Sequence, residues 1–141
     1  MAAKDLHTLI RIRKWDVDEK QREVAGLMRR EEAILAAQRD LAEEIAREAA
    51  FVSAADVIAT FTFSAYLARC DVRKEELAQA LIEVRRLIEE ARDELAEAYR
   101  RLKTFEVTQE RRDLVEEQEA DRLEQIDLNE IGLNLYRRAG Q

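Results

Sequence analysis

Apolar residues recur along most of the chain at the spacing of a coiled coil. In residues 4–54 the two seam positions of a seven-residue repeat are mostly apolar, and in residues 64–138 about five heptads are nearly unbroken. Each stretch is therefore predicted to be one long α-helix that packs its seam against the other. The seam of the first helix contains Ile10, Val17, Val24, Ile45 and Val52, with Leu6, Leu27, Ile34 and Leu41. The seam of the second contains Leu67, Leu81, Ile88, Leu95 and Leu102, with Cys70, Leu77, Val84, Ala91, Ala98 and Phe105.

The chain is expected to turn in an apolar region of about residues 55–63, within the stretch FVSAADVIATFTFSAYLARC. Hydroxyl and carboxylate side chains suit helix termini because they accept hydrogen bonds from free backbone N–H groups. The candidate caps in this region are Ser53, Asp56, Thr60, Thr62 and Ser64.

A turn near residue 59 places Glu31 level with Ile88 and Gln38 level with Leu81. Polar seam positions of one helix would then meet apolar positions of the other. The predicted fold is all-α, a long antiparallel two-helix coiled-coil hairpin in one domain, 1–141, with the second helix longer than the first. The composition agrees, because the chain has no proline and three glycines, whereas strands and hairpin turns need such residues.

The charge of the chain is uneven along its length. The net charge is −7, yet residues 1–30 carry eight basic against five acidic side chains, a balance of +3. Residues 106–130 carry ten acidic side chains against three arginines, a balance of −7. This distribution suits two arms that lie side by side, and it makes nucleic acid an improbable partner.

Several apolar residues fall outside the predicted seam near the termini. The outward heptad position of the second helix holds Val107, Leu114, Leu128 and Leu135. Either a stutter shifts the apolar stripe around the helix, or a second face serves a second partner. Beyond about residue 117 the first helix no longer covers the second. Trp15, next to Ile12, either folds over the flank of the second helix or anchors another protein.

The turn region carries a second apolar cluster that two helices cannot bury completely. It is either a loop packed on itself at the end of the coil or a docking patch for a partner. Its residues are Phe51, Val57, Ile58, Phe61, Phe63 and Tyr66.

The sequence lacks the motifs of an enzyme or a metalloprotein. It has no Gly-rich phosphate loop, and its one histidine, His7, lies at the opposite end of the predicted hairpin from its one cysteine, Cys70. No catalytic, metal-binding or cofactor-binding residue is predicted, and Cys70 is expected to be a small buried hydrophobe. Insertion into a membrane is not expected, because Asp56 and several hydroxyl residues interrupt the one apolar stretch.

Three strings resemble one known family. LIRIRKWDVDEKQREVAGL (9–27) resembles the first helix of the FliJ family of flagellar type III export proteins, closest to the α-proteobacterial type. LAEAYRRLKTFEVTQERR (95–112) resembles the second helix of that family, and QIDLNEIG (125–132) its terminal Asp-Glu segment. The string DLNE departs from the family, in which the acids are more often adjacent.

The resemblance implies a non-enzymatic stalk or adaptor. Such a protein is expected to place its termini end in a hexameric export ATPase and to promote ATPase assembly and activity. It would also contact the export gate, a membrane protein, and escort export chaperones, in the cytoplasm beside the export apparatus at the inner membrane. The expected ATPase contacts are Ile12, Trp15, Leu114, Leu128 and Leu135, and the turn-region cluster is the expected gate contact.

Two alternatives remain open at the level of sequence. The first is a scaffold that self-associates into a helical bundle, and the second is the equivalent stalk protein of an injectisome. The adaptor is expected to be a monomer, whereas the scaffold is expected to be a stable dimer or tetramer.

Overall fold

The computed structural model describes residues 5–52 and 57–140, and it confirms the all-α helical hairpin. Helix α1 spans His7–Val52 and helix α2 spans Val57–Ala139, with lengths of 46 and 83 residues. The second helix is therefore the longer one, as predicted. Positive-φ residues and cis peptide bonds are absent from the described part of the chain, so neither helix contains a backbone irregularity of that kind.

Helix α2 begins earlier than the sequence analysis expected. Its first residue is Val57, not residue 64, so the part of the expected turn region from Val57 to residue 63 is helical. The hydroxyl groups of Thr62 and Ser64 donate to the carbonyl oxygens of Ile58 (3.0 Å) and Thr60 (3.2 Å). Inside a helix, such bonds to the residue four positions earlier satisfy a hydroxyl group, which explains why these side chains do not mark a helix start. The candidate caps Ser53 and Asp56 lie outside the described residues.

The residues that lie level in the hinge-end unit, Asp18–Glu97, also differ from the expected ones. Lys20 Nζ lies 3.0 Å from Glu94, and the Glu31 carboxylate lies 3.2 Å from Arg85 Nε, not opposite Ile88. Gln38 lies beside Leu77 in a small pocket, about one turn from the expected Leu81. The helices are antiparallel in this unit, but the register is displaced from the one expected by about one turn.

The core of the hinge-end unit consists of predicted seam residues. Val84 is completely buried, and Ile88, Ala91, Leu77 and Cys70 are nearly so. The small Ala91 side chain allows the two backbones to approach closely, and the Cys70 thiol is buried and free, as expected. On the exposed surface of α2, ion pairs between residues three or four positions apart, such as Arg86 with Glu83 and Glu90, support the helix.

The core of the termini-end unit, Met1–Val17 with Ala98–Gln141, is shorter. Its buried apolar residues are Ile10, Val17, Ala98 and Leu102, and the polar side chain of Gln109 closes it. All residues from 113 to 140 are exposed. We call this segment the tail; it consists of the end of α2 and Gly140, and no described residue of the chain covers it.

Candidate docking surfaces

The five residues expected to contact an ATPase are all exposed in the termini-end unit. Trp15 is 63% exposed, so it does not fold over the flank of α2, and Ile12 is 53% exposed. Leu114, Leu128 and Leu135 are each more than half exposed. We call these five residues the termini surface. Their exposure is compatible with docking, and it removes the alternative that Trp15 is covered within its own chain.

The structure does not bring the termini surface into one compact patch. The Arg13 guanidinium lies 5.6 Å from the centre of the Phe105 ring, which places Trp15 level with about residue 103 of α2. Leu114 then lies about 16 Å further along α2 and Leu128 about 38 Å further, at 1.5 Å per residue. One partner that contacts all five residues must therefore extend along the tail.

The tail exposes more apolar side chains than the outward heptad position alone. Leu123, Ile126 and Leu133 continue the heptad seam positions of α2 beyond Phe105. Val115, Ile131 and Tyr136 lie at other positions and were not singled out from the sequence. The signal that reveals them is positional, since apolar residues of α2 that extend past the start of α1 are not covered by any described residue of the chain. Local bonds support this helix: Arg122 donates to both oxygens of Glu119 (2.6 and 3.1 Å), which lowers the pKa of Glu119, and Gln125 donates to Asn129.

Gln109 joins the start of α1 to α2, a role that could not be predicted from the sequence. It occupies a seam position of α2 that would ordinarily be apolar, yet it is 7% exposed. Its Oε1 accepts a hydrogen bond from the Leu6 backbone N–H at 2.8 Å, and its Nε2 donates to Asp113 Oδ1 at 2.8 Å. Asp5 Oδ1 accepts from the His7 N–H at 2.9 Å. Gln109 therefore satisfies a free donor at the start of α1 and fixes that end of the helix to α2.

Substitution of Gln109 by methionine tests this role because methionine preserves the length of the side chain but accepts no strong hydrogen bond. We expect a loss of about 1 kcal/mol in the free energy of unfolding, since the Leu6 N–H loses its partner. Hydrogen exchange of the first amides of α1 should accelerate as well. Urea unfolding and exchange would be compared with Gln118→Met, a change of an exposed glutamine on the same helix. Equal behaviour of the two variants would contradict the anchoring role.

The turn-region cluster lies in the hinge-end unit and is largely exposed. Phe51, Val57, Ile58 and Phe61 are each at least 76% exposed, and Phe63 and Tyr66 are half-buried. We call the six residues the hinge surface. Large apolar side chains with so little cover in a chain of this size are typical of contact surfaces.

The hinge surface has two parts. Phe51, Phe63 and Tyr66 line one groove, with the charged residues Glu48 and Arg69 at its sides. The rings of Phe63 and Tyr66 stack with a centroid distance of 6.0 Å and an interplanar angle of 29°. Val57, Ile58 and Phe61 lie outside this groove. The cluster is thus partly packed on itself, as one interpretation expected, while most of its apolar area faces outward.

The Tyr66 hydroxyl lies at the inner edge of the hinge surface. Its oxygen is shielded from solvent, and it has no hydrogen-bond partner in good geometry among the described residues. Burial, together with the nearby Cys70 thiol and Glu44 carboxylate, raises the pKa of Tyr66. The tyrosine therefore remains neutral and acts here as a packing residue.

The described residues contain neither a metal site nor a membrane span. No group of three or more histidine, cysteine or acidic side chains is arranged to hold a metal ion there. Nor does either described helix contain a stretch that is long and apolar enough to span a membrane.

Comparisons with known proteins give one match. Neither the curated proteins nor the solved structures include a significant match to the chain. One family model, described as Flagellar FliJ protein, matches residues 2–141, which is nearly the whole chain. The chain belongs to the FliJ family and is accordingly a component of the flagellar export apparatus.

Proposed function

We propose that the protein is a non-catalytic stalk of the flagellar export apparatus. Its termini surface binds the hexameric export ATPase and promotes ATPase assembly and activity. Its hinge surface binds the cytoplasmic portion of the export gate, and the protein escorts export chaperones. The observation that carries this proposal is the tail, whose 28 residues (113–140) are all exposed and are helical as far as Ala139, in a chain of the FliJ family.

The termini surface has the composition of a protein-binding surface. Trp15 is exposed beside Ile12 and among Arg11, Arg13 and Lys14, and interface residues that contribute most to affinity are enriched in tryptophan and arginine. The leucines of the tail extend this surface along α2. A partner that buries these side chains would recover hydrophobic free energy that the isolated chain leaves unused.

The hinge surface belongs to the other unit of the chain, so the two surfaces are formed by different residues and can be altered separately. The exposed Phe51 and Phe61 rings offer large apolar areas with few rotatable bonds. Such an arrangement suits an adaptor that binds two partners. The protein acts in the cytoplasm, at the inner-membrane face of the apparatus, and as a monomer.

Steady-state ATP hydrolysis by the cognate export ATPase tests the main claim. We expect the wild-type chain to stimulate hydrolysis. The concentration needed for half-maximal stimulation should be roughly tenfold higher for the Trp15→Ala, Leu128→Ala double variant, since each side chain contributes to binding. Val72→Ala, Ile82→Ala is the matched control, because both side chains are at least 60% exposed but belong to neither surface.

Equal stimulation by the wild type and the double variant would move the contact away from the termini surface. Absence of both stimulation and co-elution with the ATPase would refute the stalk proposal. The same exposed tail favours a second function, a scaffold that self-associates into a bundle. A stable dimer or tetramer in analytical ultracentrifugation would support the scaffold, and a monomer the adaptor.

A further inference from the structure

The first turns of α2 carry an exposed apolar stripe in the hinge-end unit. It consists of Ile58, Phe61, Ala65 and Ala68, and we call it the outer stripe. We propose that the outer stripe pairs with the outer stripe of a second copy of the chain, in an antiparallel arrangement that covers part of the hinge surface. In what the pair covers, this inference rests on the proposed function, because Ile58 and Phe61 belong to the proposed gate contact.

The four residues of the outer stripe occupy one narrow side of the helix. At 100° per residue they lie within about 80° of one another, and the centre of this sector lies about 160° from Cys70. Cys70 is buried in the core of the unit, so the outer stripe faces away from that core. All four residues are exposed, and Ile58 and Phe61 are the most exposed of them.

The order of large and small side chains along the outer stripe is self-complementary. Successive residues are separated by three, four and three positions, which is the spacing of a coiled-coil seam and reads the same in both directions. With a two-fold axis beside residue 63, an antiparallel second copy places its Ala65 opposite Phe61 and its Ala68 opposite Ile58. A large side chain then meets a small one in every layer. An isologous interface needs this symmetry, whereas a different partner would not.

The charge of the segment also permits pairing between two copies. Between Val57 and Val72 the charged residues are Arg69 and Asp71, and their charges cancel. Two such segments meet without net repulsion, whereas two copies of residues 113–130, each with a balance of −7, would repel each other. The outer stripe itself contains no basic side chain, so it offers nothing to a nucleic acid or an anionic lipid surface.

The size of the contact makes the pair weak. The two copies of α2 overlap from Val57 to Arg69, a length of about 20 Å on a helix about 10 Å wide. Such a strip buries less than the ~1,200 Å² at which standard stable interfaces begin. The chain is therefore a monomer at low micromolar concentration, at which the adaptor acts, and the pair forms in concentrated protein. A self-associating scaffold would remain assembled at low micromolar concentration as well.

Sedimentation equilibrium of the full chain, from low micromolar to millimolar concentration, tests the pairing. The mass of the wild type should rise from that of one chain towards that of two. Phe61→Ala removes the large side chain, and Ala65→Phe fills the space that Phe61 of the second copy needs. Each change should raise the dissociation constant of the pair roughly tenfold. The Val72→Ala, Ile82→Ala variant should pair like the wild type, because both residues lie outside the overlap.

The double variant Phe61→Ala, Ala65→Phe exchanges the large and the small side chain. It again places a phenylalanine opposite an alanine, so its dissociation constant should return to within roughly threefold of the wild-type value. Circular dichroism would verify that all variants remain helical. A wild type that stays monomeric at millimolar concentration would overturn the inference. So would an Ala65→Phe variant that pairs as tightly as the wild type, or a double variant that remains as weak as the single ones.

A second arm connects the pairing to the gate. The cytoplasmic gate fragment is added to the concentrated wild type, and we expect the fraction of paired chains to fall as the gate complex forms. Pairs that persist within the gate complex would overturn the claim that pairing covers the gate contact. If the fragment does not bind the chain at any concentration, the gate part of the proposed function fails, and sedimentation of the free chain alone decides the inference.

Discussion

Substitution of Val84 by aspartate is expected to destabilise the hinge-end unit so far that it no longer shows a cooperative unfolding transition at room temperature. Val84 has no exposed surface at all, at the centre of a seam that includes Leu77 and Ile88. An aspartate there either remains charged without a partner or becomes protonated at the expense of folding free energy. We expect a loss of about 4 kcal/mol or more, which is comparable to the whole stability of a small domain, about 5–15 kcal/mol.

The measurement is urea unfolding followed by circular dichroism, with Val72→Asp as the control. Val72 lies on the same helix and is 60% exposed, so the same change there should alter the free energy of unfolding by no more than about 0.5 kcal/mol. A similar loss in both variants would mean that the charge acts through helix propensity and not through burial at the seam. A stable, fully cooperative Val84→Asp variant would contradict the described core.

The seam of α2 could be predicted from sequence because its periodicity is regular and local. Leu77, Val84, Ala91 and Ala98 follow one another at seven-residue intervals, and all four are buried. A repeat of this kind specifies which face of a helix is covered before the partner helix is known. The longer second helix followed from the same reasoning, because the seam pattern of the first stretch ends sooner.

The start of α2 could not be predicted, because the local signal has two meanings. At a helix start, the hydroxyl of a threonine or serine accepts a hydrogen bond from a free backbone N–H. Inside a helix, the same hydroxyl donates to the carbonyl oxygen four residues earlier. The hydroxyls of Thr62 and Ser64 donate to the backbone carbonyls of Ile58 and Thr60, and the helix continues through them. The register expected for Glu31 and Gln38 was wrong for the same reason, because it was calculated from a turn near residue 59.

The role of Gln109 was beyond sequence reasoning for a different reason. Its partner, the Leu6 N–H, is 103 residues away along the chain, and only the folded hairpin brings the two groups together. Trp15 shows the same limit for a surface residue, since the heptad register allowed it to be covered or exposed. Exposure is a property of what surrounds a side chain, so the structure was needed to choose between the two interpretations.

Under the proposed function, removal of apolar side chains from the hinge surface is expected to separate gate binding from ATPase stimulation. In an Ile58→Ala, Phe61→Ala variant, binding to the cytoplasmic portion of the export gate should fall roughly tenfold or more, because two large contact side chains are lost. Both residues are at least 76% exposed, so the free energy of unfolding should change by no more than about 0.5 kcal/mol. Stimulation of the ATPase should remain at the wild-type level, since the termini surface is intact.

Surface plasmon resonance with the immobilised gate fragment measures the first effect, and thermal unfolding with ATP hydrolysis measures the other two. The Val72→Ala, Ile82→Ala variant serves again as control, because it truncates two exposed apolar side chains of the same unit that lie outside the hinge surface. Unchanged gate binding in a fully folded hinge variant would refute the assignment of this surface. The variant could also lose gate binding and ATPase stimulation together while its stability stays normal. Because its termini surface is unaltered, that result would show instead that one partner engages both surfaces.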